Sequence, residues 1–196
     1  MTGASTNTIT GCLATNSAGN AIGLDTGSNY NLIDFSTMTS TGSNRVGLLL
    51  DASTANVIKR SYSGSVDGAG AYISNASNFN TFSFSTFASA GASYRGMLLD
   101  NANFNTIANS VVRNSAGDGL EIYGVRDTVV LTTITAEGTG LILTAASTVS
   151  VFGSYIQGST GAVVSASTGT KIGGTVFVAT NTSGSALYLS GGSVNL

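Results

Sequence analysis

A three-residue phrase returns along this chain at a nearly constant interval: Asn7-Thr8-Ile9, Asn31-Leu32-Ile33, Asn56-Val57-Ile58, Asn80-Thr81-Phe82 and Asn105-Thr106-Ile107. Successive asparagines stand 24, 25, 24 and 25 residues apart. Beyond the fifth the asparagine is lost, but an apolar anchor continues at Val130, Val151, Ile172 and Leu196, in steps of 23, 21, 21 and 24. Self-similarity with a period in the twenties predicts a solenoid, because no single repeat can bury its apolar face alone.

A second phrase places a strand ahead of each anchor. Alternating apolar pairs occur at Ile22/Leu24, Leu48/Leu50, Met97/Leu99, Leu120/Ile122, Leu141/Leu143, Ala162/Val164 and Leu187/Leu189, with the third repeat displaced by one residue to Tyr72 and Ile73. Alternation with period two marks a strand with one packed face. Gly96, Gly119, Gly140 and Gly161 precede four of these pairs, where tight corners requiring positive φ are expected. A third apolar position follows each anchor at Met38, Phe87, Val112, Ile134, Ile156 and Phe177. Three short strands and three turns per repeat predict an all-β, single-stranded right-handed parallel β-helix of about eight coils of 21–25 residues, spanning residues 1–196 as one domain. An antiparallel sandwich also predicts short strands, but not one residue type returning at one phase for five repeats. Leu24, Leu50, Leu99, Ile122, Leu143, Val164 and Leu189 are expected to form one buried inward column.

Composition excludes several function classes. Apolar residues make up 42% and charged residues only 8%, with no His, Trp or Pro and a net charge of -2. That balance excludes disorder and offers no electrostatic footprint for nucleic acid or an anionic membrane. No apolar run approaches the roughly 18 residues of a membrane span. The single cysteine, Cys12, rules out an internal disulfide and is expected as a small buried apolar residue. No basic-then-apolar signal segment precedes the first repeat, which is expected of a protein made in a cytosol.

Stacked at one corner, Asn7, Asn31, Asn56, Asn80 and Asn105 are expected to form a structural ladder, each amide bonding to the next coil. The Asn-Thr-Ile phrases, the Gly-apolar-x-apolar openings and the coil length resemble the pectate-lyase-like right-handed parallel β-helix superfamily over essentially the whole chain. The repeats are similar to those of carbohydrate-binding and sugar-hydrolase proteins, phage tailspikes and bacterial surface proteins. The resemblance implies the fold and leaves activity open, since function resides in sites. Catalysis in the superfamily implies clustered Asp/Glu pairs, or Asp-bound calcium with a basic proton acceptor.

Asp25, Asp51 and Asp100 share one phase after the first strand of the coil, with Asn75 in the missing slot. The column is a candidate for holding Ca²⁺ or a shared proton, or else for capping turns through Asx hydrogen bonds. With no histidine, no nucleophile motif and near-minimal coils, catalytic residues are not expected, and no cofactor is implied. The residue before the ladder is Tyr30, Ala55, Phe79 or Phe104, a platform for sugar rings if exposed and ordinary packing if buried. Two residues past the anchors stand Phe35, Arg60, Phe84 and Asn109, placing Arg60 between two aromatic rings. Tyr30, Phe79, Phe104 and Arg60 are therefore the candidate carbohydrate-binding residues.

These features point to a non-enzymatic structural or recognition rod. The resemblance to tailspikes implies a virion component, such as a phage tail fibre, tailspike segment or capsid decoration, meeting other virion proteins and a cell-surface polysaccharide. The alternatives are a segment of a bacterial cell-surface adhesin, extracellular or on the cell surface, and a polysaccharide lyase or hydrolase. Uncapped repeats and one charge after Glu137 (Lys171) predict a homo-oligomer, and the tailspike resemblance makes it a trimer.

Overall fold

The computed structural model describes all 196 residues, and every regular element is a strand. Each coil carries three of them. The first face of the solenoid holds Thr8–Thr10, Leu32–Asp34, Val57–Lys59, Thr81–Ser83, Thr106–Ala108, Thr128–Val130 and Ser150–Phe152. The second runs from Leu13–Asn16 to Val176–Ala179, eight strands in one sheet. The third starts at Ile22–Leu24 and continues through Leu48–Asp51, Ala71–Ser74, Arg95–Asp100, Asp118–Ile122 and Thr139–Thr144. All ladders are parallel, each strand pairing with its equivalent one coil away. The strand Thr160–Gly173 rounds a corner and joins the first and third faces into one 15-stranded sheet.

Register follows the predicted anchors through five coils: Ile9 pairs Ile33, then Ile58, Phe82 and Ile107. At the sixth coil the inward residue is Val129, not Val130, and it leads to Val151 and Ile172. Val130 faces outward because this coil is a residue shorter than the sequence spacing suggests. The third coil is not displaced. Ala71 and Ile73 pair with Met97 and Leu99, so Ala71 takes the inward place and Tyr72 points out.

The core is a stack of equivalent layers, one per coil. Leu24, Leu50, Leu99, Ile122, Leu143 and Val164 are buried, together with Met38, Phe87, Val112, Ile134 and Ile156 from the second face. Phe82 and Phe87 meet edge to face at 5.6 Å and thicken the middle of the rod. Leu189 is the exception at 46% exposure, because it lies on the last coil with no rung beyond it. Cys12 is likewise exposed on the first coil, against the expectation of burial.

The glycines before the inward pairs have a different role from the expected one. Gly119, Gly140 and Gly161 do not adopt positive φ. Instead, a Cβ on them would stand 2.3–2.6 Å from a carbonyl oxygen of the next coil, so they permit close approach of backbones. The left-handed corners are built from other residues, among them Tyr30, Ala55, Phe79, Phe104 and Arg126, at φ of 56–60°. Such backbone costs about 1–3 kcal/mol at each non-glycine residue. The cost is offset here because the corner N–H groups still donate to the next coil, as Ala55 does to Asn78 O and Phe79 to Asn103 O.

Polar ladders close the corners. Asn31 Oδ1 accepts from Asn7 N and Nδ2 at 2.9 and 3.0 Å, and the pattern repeats from Asn31 to Asn56, Asn80 and Asn105. Asn31, Asn56, Asn80 and Asn105 are buried, while Asn7 on the first coil is exposed. A second ladder runs through hydroxyls: Cys12 N, Ser36 N, Ser61 N and Ser85 N donate to Ser36, Ser61, Ser85 and Ser110 Oγ. Each Oγ also donates back to a carbonyl two residues earlier, as Ser61 does to Lys59 O at 2.8 Å. Buried polar groups are thereby paired coil by coil.

Candidate functional site

The three-residue strands of the first face lie between two left-handed corners, and each corner turns a side chain to solvent. Before the strands stand Tyr30, Ala55, Phe79, Phe104 and Arg126; after them stand Phe35, Arg60, Phe84, Asn109 and Leu131. Tyr30 and Phe79 are 67% and 59% exposed, and Phe35 and Phe84 are similarly open. Large aromatic groups held in solvent by a strained backbone are not explained by core packing. The floor between these flanks is formed by Leu32, Asp34, Val57 and Lys59 on the lower coils and by the small, half-buried Thr81, Ser83, Thr106 and Thr128 above them. The arrangement is a shallow trough with aromatic walls.

The first wall contains a notch. Phe79 and Phe104 stack at 4.8 Å with their planes 16° apart, one coil rise from ring to ring. Arg126 extends the stack, its guanidinium 5.4 Å from the Phe104 centroid. Below Phe79 the next rung is Ala55, and Tyr30 stands one rung lower. Two coil rises, about 9.6 Å, therefore separate Tyr30 from Phe79. A flat ring placed over Ala55 would lie one rise from each, the spacing that Phe79 and Phe104 already adopt.

The second wall shows the same notch filled. Arg60 occupies the rung between Phe35 and Phe84, and its guanidinium lies 4.0 Å from the Phe35 centroid. It stacks on this one ring rather than on both. Asp34 fixes it there, accepting from Arg60 Nε at 2.9 Å and lying 3.7 Å from Lys59 Nζ. The Arg60 hydrogen bond, joined by the charges of Arg60 and Lys59, holds the Asp34 carboxyl below its usual range. Arg60 is thus committed to its wall, and the open notch is on the opposite side, at Ala55.

The acidic column is distributed differently from the sequence reading. Ser74, not Asn75, fills the rung between Asp51 and Asp100. Asn75 Nδ2 instead donates to Asp51 Oδ1 at 2.6 Å, and Tyr72 OH donates to Asp100 Oδ2 at 2.9 Å. Asp25, Asp51 and Asp100 do not converge, and no three His, Cys, Asp or Glu side chains stand together as metal ligands.

One polar knot on the third face was not foreseen. Glu121, 4% exposed, accepts from Arg95 Nε and from Tyr123 OH, the latter at 2.6 Å. Its hydrogen bond to Glu121, aided by burial, raises the Tyr123 hydroxyl above its usual range; burial, then Asp100, does the same for Tyr72. Arg95 and Tyr123 engage Glu121 and Tyr72 engages Asp100, so the knot is a braced surface. The signal for it was present: Glu121 is the single charge in an outward column of Leu49, Tyr72, Leu98, Ile142, Val163 and Tyr188.

No curated protein matches the sequence. Among solved structures, HetL, a pentapeptide repeat protein from the cyanobacterium Nostoc sp. strain PCC 7120, aligns over 89% of this chain and 85% of its own. The identity is 8% and the TM-score 0.18, too low to establish a shared fold. The family model described as periplasmic copper-binding protein (NosD) matches residues 5–183, nearly the whole solenoid. The chain belongs to the NosD family of β-helix proteins.

Proposed function

We propose that the chain is a non-enzymatic recognition segment of the bacterial cell envelope, and that its first face binds an extended glycan with one sugar ring held over Ala55. The observation that carries this reading is the open notch between Tyr30 and Phe79 beside its filled twin, Phe35–Arg60. A pyranose presents flat C–H faces to aromatic rings and hydroxyls at its edge, which suits aromatic walls beside Lys59 on the notch's own rung and Thr81 and Ser83 on the next. The family's description supports an extracytoplasmic location, in line with the surface-protein alternative; nothing in the comparisons supports a viral particle.

Copper, named in the family's description, does not fit the residues of this chain. Copper sites draw on imidazole, thiolate and thioether ligands. Here histidine is absent, Met38 and Met97 are sealed in the core, and the exposed Cys12 and Met1 are the only soft donors left, too few for a copper site. The relationship therefore extends to the solenoid and not to a metal centre.

Titration calorimetry against bacterial surface oligosaccharides tests the reading. Ala55→Phe should keep the fold, since Phe79 and Phe104 occupy the same left-handed backbone, and should weaken binding at least tenfold by filling the notch. Phe79→Ala should weaken it comparably. Full affinity in Ala55→Phe would contradict the proposal.

We also propose that copies of the chain associate through the outward apolar column of the third face, whose C-terminal part, Ile142, Val163 and Tyr188, carries no charge. Light scattering at micromolar concentration should show an assembly, with three copies the expected number, that Val163→Asp shifts toward monomer. A wild-type particle of monomer mass, 19.5 kDa, would remove this reading.

A further inference from the structure

The asparagine ladder has a sixth rung occupied by a carboxyl group. Val129 is the inward residue of that coil, so the ladder position is Asp127, which is 1% exposed. Its Oδ1 acts as the amide oxygens do, accepting from Asn105 N at 2.7 Å and from Asn105 Nδ2 at 3.3 Å. Its Oδ2 has no partner. At two of the four buried asparagines the second side-chain atom also donates to a backbone carbonyl: Asn31 Nδ2 reaches Ala4 O at 2.7 Å, and Asn80 Nδ2 reaches Ser53 O at 3.1 Å. Each of those carbonyls belongs to the residue three before the ladder asparagine of the coil below. For Asp127 the equivalent is Ala102 O.

The two oxygens meet at Gly124. A Cβ there would stand 2.1 Å from Asp127 Oδ2 and 2.1 Å from Ala102 O, so the glycine leaves room for them to face each other. No backbone N–H reaches Ala102 O. Two buried acceptors in this position require a hydrogen or a cation between them. A hard cation takes about six or more oxygens, and only two converge here. A proton satisfies both at once. Val149 occupies the next rung, so no polar side chain continues the ladder above Asp127.

We infer that a proton closes the sixth rung: Asp127 is neutral in the folded protein, its Oδ2–H donates to Ala102 O, and loss of that proton loosens the corner that carries Phe104. The coupling to Phe104 as a binding wall rests on the glycan reading above; the protonation does not. Burial pushes the Asp127 carboxyl up to about 7, against the lowering effect of the two bonds from Asn105. On the three stacked corners, residues 101–105, 124–127 and 145–149, the only other charged side chain is Arg126, which lies over Phe104. Phe104 N donates to Val125 O at 3.0 Å, so the corner bearing the aromatic ring hangs on the corner bearing Asp127.

An unfolded chain releases this proton near 3.8, whereas the folded chain keeps it to about 7. Between those values the folded state binds more protons, so stability falls as pH rises. It is flat below the window, and the full loss is reached above it.

Thermal unfolding of the whole chain from pH 4 to 9, with the Asp127 carboxyl and the Phe104 ring followed by NMR, tests the inference. The wild-type midpoint should fall by roughly 10 °C across the window. The Asp127→Asn midpoint, with an amide donor in place of the proton, should stay flat and exceed wild type at pH 8. The carboxyl and the Phe104 ring should titrate together near neutrality, with no response to EDTA. A carboxyl titrating near 4, an Asp127→Asn protein that keeps the slope or fails to fold, or an EDTA-sensitive midpoint would overturn the inference. A Phe104 ring blind to the titration would overturn its coupling to the trough. These readouts need no sugar, so a failed glycan titration alongside a normal proton titration would refute only the function proposed above.

Discussion

Truncating Leu99 to alanine is expected to destabilise the solenoid by about 2–5 kcal/mol, the range for removing a fully buried leucine and leaving a cavity. Leu99 is completely buried between Ile73 and Ile122 of the adjacent coils, so neither neighbour can move in without losing its own stacking. Leu189→Ala is the control. The same side chain in the same column is 46% exposed there, and the loss should be under about 1 kcal/mol. Urea unfolding of both variants separates the alternatives: equal losses would mean that the layers are not stacked in this register.

Asn80→Ala should cost about 3 kcal/mol or more, a large effect for a polar residue. Asn80 Oδ1 accepts from both Asn56 N and Asn56 Nδ2, while Asn80 Nδ2 reaches Ser53 O and Asn105 Oδ1. Alanine strands several of these groups away from water, at about 1–3 kcal/mol for each one left unsatisfied. Asn7→Ala removes a rung of the same ladder from the exposed first coil, where water replaces the lost partner. Its cost should be a few tenths of a kcal/mol, read from the same unfolding curves.

The architecture was legible because the period is written twice, once in the asparagines and once in the alternating apolar pairs. Where one mark disappears the reading slips. After Asn105 only apolar spacing remained, and Val129 and Val130 are adjacent valines; choosing the outer one hid Asp127 from the ladder. In the third coil Ala71 was passed over because Tyr72 and Ile73 form a more apolar pair. The hydroxyl ladder through Ser36, Ser61, Ser85 and Ser110 was not visible at all, because serine is so common here that its phase does not stand out.

The candidate site was partly legible for the same reason. The columns Tyr30–Phe79–Phe104 and Phe35–Arg60–Phe84 follow from phase alone. That both flank one strand as left-handed corners does not, since aromatic residues at positive φ contradict local preference. Their outward pose depends on coil-to-coil bonds such as Phe84 N to Ala108 O, which no local pattern announces. Of the Arg95–Glu121–Tyr123 knot only Glu121 stood out, as the single charge in an apolar column; its partners sit on two coils and meet it only once the register is known.

Ala55 marks an open place for a ring between Tyr30 and Phe79. NMR titration of the protein with a bound oligosaccharide, following the Ala55 methyl and the ring protons of Tyr30 and Phe79, measures this directly. These three signals should shift together and show contacts to one sugar ring, while Phe35, stacked on Arg60, stays nearly unchanged. Sugar contacts confined to Tyr72 and Leu98 on the third face, with Ala55 unmoved, would overturn the trough as the binding site.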